Sequence, residues 1–136
     1  PQVRNATSKV RFLAFSFTDF PLADAMINRA QNGVDVAGVF GATQAGGQGA
    51  EIGTLFCAGV PVREDGNRQF MHNKIIVIDD RFVITGSMNY STSAEEANDE
   101  NVIIIDNPDI ARQYMAYFDR IWSQATDPEA GEITCQ

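Results

Sequence analysis

The apolar positions change period along the chain. From Val10 to Phe17 they are nearly continuous, with Val10, Phe12, Leu13, Phe15 and Phe17 in a run of β-formers, which predicts a strand. Thr18 or Asp19 is placed to cap a helix and Pro21 fits its first turn. Leu22, Met26, Ile27 and Ala30 recur at the helical period until Asn32-Gly33 stops it. Val34 to Phe40 predicts a second strand, so strand, helix and strand form a parallel pair with a crossover. Gly41 to Gly49 reads as a loop, Glu51 to Ala58 as a short helix ended by Gly59, and Val60 to Arg63 as a short strand. After the turn Glu64-Asp65-Gly66-Asn67, Met71 to Ile78 predicts a buried strand. Asp79-Asp80-Arg81 is a tight turn and Phe82 to Thr85 its hairpin partner. The polar stretch from Ser87 to Asn98 begins as a loop, and Val102 to Ile105 reads as another buried strand. Asn107-Pro108 then caps a long helix with Ile110, Tyr114, Phe118, Ile121, Trp122 and Ala125 on one face. The pattern predicts an α/β architecture, a mixed β-sheet flanked by helices.

Length and composition bound this picture. The chain has 136 residues, 44% of them apolar and 21% charged, which suits one folded domain with its own core. That domain is expected over residues 1–126, with an acidic tail over 127–136. The net charge of −8 argues against a non-specific nucleic-acid coat. It is uneven, however: residues 1–74 carry a net +1 and residues 75–136 a net −9. Arg4, Lys9, Arg11, Arg63, Arg68 and Lys74 are therefore the candidates for a phosphate-facing surface. Cys57 and Cys135 are too few for a disulfide framework, and Cys57, in Leu55-Phe56-Cys57-Ala58, reads as a small core residue. No apolar run is long enough to span a membrane and the start is not a signal peptide, so the compartment is left open. The chain begins at Pro1 rather than Met, as expected of a processed or trimmed piece, which leaves an upstream leader or domain open.

Two features could carry chemistry. The glycine loop before Glu51 is placed between a strand and a helix, where phosphate can be cradled. It lacks the third glycine of the dinucleotide fingerprint and any Gly-Lys-Ser/Thr, so it reads as a surface loop. The single histidine, His72, excludes zinc sites built from several imidazoles of one chain. It opens His72-Asn73-Lys74, followed by Asp79 in the turn and Gly86-Ser87-Met88-Asn89 after the hairpin. Alternation puts His72 and Lys74 on one face, and the hairpin returns Ser87 and Asn89 towards them. An imidazole nucleophile, an ammonium, a hydroxyl and a carboxamide suit the attack on a phosphoryl group and the holding of its oxygens.

This spacing, His-x-Lys-x4-Asp-x6-Gly-Ser-x-Asn, resembles the phospholipase D superfamily at every fixed position. Phe15-Ser16-Phe17-Thr18, Gly33-Val34-Asp35-Val36, Ala58-Gly59-Val60, Glu95 and Asn98-Asp99-Glu100-Asn101 extend the likeness, as do Phe118 and Trp122. They are most similar to the superfamily's small bacterial endonucleases, from about Val10 to Ala125. The helix that usually precedes the first strand is shortened or cut off. The resemblance implies a phospholipase D/nuclease-like fold and a metal-independent phosphodiesterase without a cofactor. In it His72 forms a phosphohistidine, Lys74, Asn89 and Ser87 hold the phosphoryl oxygens, and Glu95 orients the imidazole. Asp79, the remaining motif residue, is expected to be structural or indirectly supportive rather than a proton-transfer group. The reaction needs a second histidine to protonate the leaving oxygen and activate water. The implied active form is a homodimer, or this chain as the C-terminal half of a two-motif enzyme. Nucleic acid is the favoured substrate, with phospholipid as the alternative. A non-catalytic half that only binds phosphate has no evident need for His72 beside Lys74.

Overall fold

The computed structural model describes residues 2–14, 20–41, 52–65, 74–86 and 102–127. The elements are β1 (Lys9–Ala14), α1 (Phe20–Gln31), β2 (Asp35–Phe40), α2 (Ile52–Cys57), β3 (Val62–Glu64), β4 (Lys74–Ile78), β5 (Phe82–Gly86), β6 (Val102–Asp106) and α3 (Pro108–Gln124). Six strands form one mixed sheet in the order β3-β2-β1-β4-β5-β6. β1, β2 and β3 run parallel, joined by crossovers through α1 and α2. β1–β4, β4–β5 and β5–β6 are antiparallel.

Strand alternation sorts the apolar residues into two cores. Val10, Phe12, Val36, Phe40, Ile76 and Ile78 face one side, where α1, α2 and the chain start, through Val3 and Ala6, cover them. Leu13, Val39, Ile75, Val77 and Val83 face the other side and pack under Ala111, Met115 and Phe118 of α3. Helix α3 starts where the sequence predicts: Asn107 Oδ1 accepts hydrogen bonds from the N–H groups of Asp109 (2.9 Å) and Ile110 (3.2 Å), with Pro108 in the first turn. Gly38 is required beside β1, because a Cβ there would run into the ring of Phe12. That ring meets Phe40 edge-on at 5.6 Å between centroids.

Two sequence expectations are corrected. β6 is not buried: Val102, Ile103 and Ile104 are exposed, because β6 ends the sheet and the described helices leave that part of it open. Cys57 is not a core residue either. It lies exposed in the last turn of α2 and is disulfide-bonded; the chain's other cysteine, Cys135, lies outside the described residues.

Candidate active site

The sheet has two unlike ends. At one end lie the last residues of β1, β2, β3 and β5 and the first residues of β4 and β6. The pairs Ala14↔Phe40, Phe40↔Glu64, Ala14↔Lys74 and Gly86↔Val102 fix this alignment. Lys74 opens β4, two residues after His72, and Gly86 closes β5, one residue before Ser87. The two halves of the motif are thus joined to neighbouring strands at a single edge, next to the carboxyl ends of the parallel strands, the usual place for a ligand in an open α/β sheet. His72, Ser87, Asn89 and Glu95 themselves lie outside the described residues, as do Asn98 and Asn101.

Asp79 lies at the other end of β4, about 16 Å away at the strand rise of ~3.3 Å per residue. Its carboxylate accepts hydrogen bonds from the backbone N–H groups of Thr7 (3.0 Å), Ser8 (2.8 Å) and Lys9 (2.9 Å), and from the hydroxyls of Thr7 (3.2 Å) and Ser8 (3.0 Å). Partial burial pushes its pKa up. The donors of Lys9, Thr7 and Ser8 outweigh that and hold it down at about 2. Asp79 and Asp80 both take left-handed backbone, with φ of 55° and 52°, and the Arg81 N–H closes the turn on the Ile78 carbonyl at 3.0 Å. Asp79 therefore fastens the start of the chain to the turn between β4 and β5.

The cations expected to face phosphate are largely committed elsewhere. Lys9 pairs with Asp80 (3.1 Å) and Arg11 with Asp35 (2.7 Å), both at the Asp79 end of the sheet. The Arg11 guanidinium also holds the Asp35 carboxyl below its ordinary range, against the opposing effect of desolvation. Arg63 pairs with Asp127 (3.3 Å), donates to the Trp122 carbonyl (2.9 Å) and lies 4.2 Å over the indole ring. Arg4 is exposed, and Arg68 lies outside the described residues. Sequence reading missed one residue at the motif edge: Asp65, taken as part of a polar turn, is the buried charged residue among those described. Its N–H donates to the Phe40 carbonyl at 2.9 Å, continuing the β2–β3 alignment past the end of β3. The acidic run Glu64-Asp65 gave no sign of that burial. Among the described residues no cluster could hold a metal ion, and no helix is long and apolar enough to cross a membrane.

Relatives share both this fold and much of the sequence. A family model described as "Cardiolipin synthase, PLD-like domain" matches residues 1–122. The mitochondrial cardiolipin hydrolase of Xenopus tropicalis is 35% identical over 123 residues, covering 90% of this chain and 58% of that protein. A phospholipase D from Rickettsia conorii is 32% identical over 114 residues, covering 84% and 57%. The chain thus spans about half the length of the curated relatives it matches. Among solved structures, the phospholipase D family member Nuc from Salmonella typhimurium superposes with a TM-score of 0.88 at 31% identity, over 95% of this chain and 87% of that one. NucT from Helicobacter pylori shares the fold, with a TM-score of 0.87 at 23% identity. With a family model matched over residues 1–122 and the Nuc fold superposed over 95% of its length, the chain belongs to the phospholipase D superfamily as a phospholipase D-like domain.

Proposed function

We propose that this chain supplies one of the two histidine motifs of a metal-independent phosphodiesterase. The observation that carries the reading is the convergence of both motif halves on one sheet edge in a member of this superfamily, through Lys74 and Gly86. A nitrogen of His72 attacks phosphorus and the bond to the leaving oxygen breaks. A second histidine, from a partner motif, donates the proton that this oxygen takes up. Water then attacks the phosphohistidine, gives its proton to that second histidine, and releases a phosphate monoester and free His72. Lys74 and Asn89 hold the non-bridging oxygens with Ser87 beside them, offsetting the charge that builds there. Glu95 accepts a hydrogen bond from the His72 ring and fixes its tautomer. The roles follow the motif. Asp79 has none at the reacting atoms and supports the site through the fold.

Nucleic acid is the first substrate reading, on the likeness to the small bacterial endonucleases. Phospholipid is the second, favoured by the names of the relatives, cardiolipin hydrolase and phospholipase D. Plasmid DNA, single-stranded RNA and vesicles of phosphatidylcholine or cardiolipin, each incubated in EDTA with a His72→Ala control, decide between them. Cleavage of one class, lost in the control, assigns the substrate. Turnover that persists in the control, or that EDTA abolishes, contradicts the mechanism.

A further inference from the structure

β3 ends the sheet on the side away from β6, and the chain returns to it after α3. Thr126 pairs antiparallel with Glu64 through two backbone hydrogen bonds of 2.8 Å, one in each direction. Asp127 follows, ion-paired to Arg63 at 3.3 Å, and the Trp122 carbonyl and ring hold the same guanidinium. An antiparallel pair fixes the direction of travel: beyond Thr126 the chain heads back along β3 towards Pro61 and Gly59, which lead to α2. A groove of about 260 Å³ lies on that path, lined by Phe56, Gly59, Val60, Pro61, Val62 and Asp127. Its walls are mostly apolar, and Phe56 is 41% exposed. Cys57, the neighbour of Phe56, is disulfide-bonded, and the chain contains one other cysteine, Cys135.

We propose that Cys57 and Cys135 form one intrachain disulfide that straps residues 128–134 across this groove and along the outer edge of β3. The proposal does not depend on the phosphodiesterase reading. Direction and length both fit this occupant. The eight steps from Asp127 to Cys135 reach up to ~26 Å at ~3.3 Å per residue. Asp127 and Phe56 line one small groove, so this reach suffices to bring Cys135 to Cys57. Composition fits as well. The segment Pro128-Glu129-Ala130-Gly131-Glu132-Ile133-Thr134 carries one large apolar side chain, Ile133, two residues before Cys135. The bond therefore delivers Ile133 to the neighbourhood of Phe56, where an apolar groove is waiting to be filled. The edge itself needs a cover: β3 pairs with β2 on one side, and among the described residues Thr126 meets its other side at Glu64 alone. In forming the bond, the two thiols release two protons and two electrons to a disulfide donor, which leaves as its dithiol. The bond closes a loop of about 80 residues, which restricts the unfolded chain strongly. It persists where thiols are not held reduced, which assigns the domain to an oxidising compartment.

The test uses the full chain produced by secretion, with Cys135→Ser and Ile133→Ser as variants. Alkylated and digested with trypsin without reduction, the wild type should yield peptides 30–63 and 121–136 as one linked species, and no thiol should titrate in denaturant. Cys135→Ser is expected to melt roughly 10 °C or more below the wild type. Ile133→Ser, with the bond intact, should melt a few degrees lower, about what a lost apolar contact gives. Hydrogen exchange in the segment 59–64 should be at least roughly 10-fold faster in Cys135→Ser. Reducing the folded wild type with a phosphine should reproduce that gain in exchange, which keeps the test decisive if Cys135→Ser does not fold. Two titrating thiols, or a species of twice the mass joined between two copies, would overturn the proposal. A linked chain whose segment 59–64 exchanges at one rate in the oxidised, reduced and Ile133→Ser forms would overturn it too, since the bond would then hold nothing against the groove.

Discussion

At the scale of single residues, the motif's aspartate lies at the opposite end of β4 from its lysine. Asp79 binds five donors of Thr7, Ser8 and Lys9 at the end of β4 away from Lys74, so its conservative replacement acts on stability. Asparagine tolerates the left-handed backbone at this position, so Asp79→Asn removes the charge without adding strain. It is expected to cost about 2 kcal/mol, the scale of lost charge-assisted hydrogen bonds, measured by urea unfolding. The pH dependence has a definite sign. The folded carboxyl titrates near 2 and the ordinary value is 3.8, so its contribution is full above 3.8 and disappears as pH falls towards 2. Wild-type stability should drop across that window more steeply than that of Asp79→Asn; parallel curves would contradict the assignment. Gly38→Ala is expected to destabilise by ~1–3 kcal/mol, because the new methyl meets the Phe12 ring in a core that cannot give way. Thermal melting reads this directly.

At the scale of elements, α3 and β6 show opposite degrees of legibility. The start of α3 was readable because its signals are local: Asn107 accepts from the second and third N–H groups, and Pro108 needs no acceptor. Asn107→Ala is expected to lose about 1 kcal/mol of stability, checked by melting temperature, with the fold retained. β6 was misread as buried because Val102-Ile103-Ile104-Ile105 looks the same in sequence whether a neighbour covers it or not. Its exposure follows from strand order, which places it last, a fact that no window of sequence contains. The ion pairs of Lys9, Arg11 and Arg63 are invisible in the sequence for a similar reason. Their partners Asp80, Asp35 and Asp127 are 71, 24 and 64 residues away in the chain, and only folding brings them together.

At the scale of the whole molecule, the proposed reaction needs two histidines and this chain carries one. If both motifs act on one phosphodiester, a dimer with one His72→Ala subunit has no complete site. When wild-type and His72→Ala chains are unfolded together and refolded, activity is expected to fall as the square of the wild-type fraction. A linear fall would mean that each chain works alone. β1, β2, β3 and β5 end, and β4 and β6 begin, at one edge, where both motif halves join the sheet. The opposite edge is tied together by the Asp79 hydrogen bonds and the Arg81–Asp106 contact.

The sequence by itself determined the α/β order, the caps and turns, and the superfamily, because these rest on local spacing and on residue types that the motif keeps at fixed intervals. Tertiary structure decided what depends on neighbours distant in the chain. It set which strand lies at the end of the sheet, which cations are ion-paired, which donors Asp79 binds, and that Asp65 is buried. Burial and pairing belong to the assembled sheet, and a residue's own segment carries too little information to fix them.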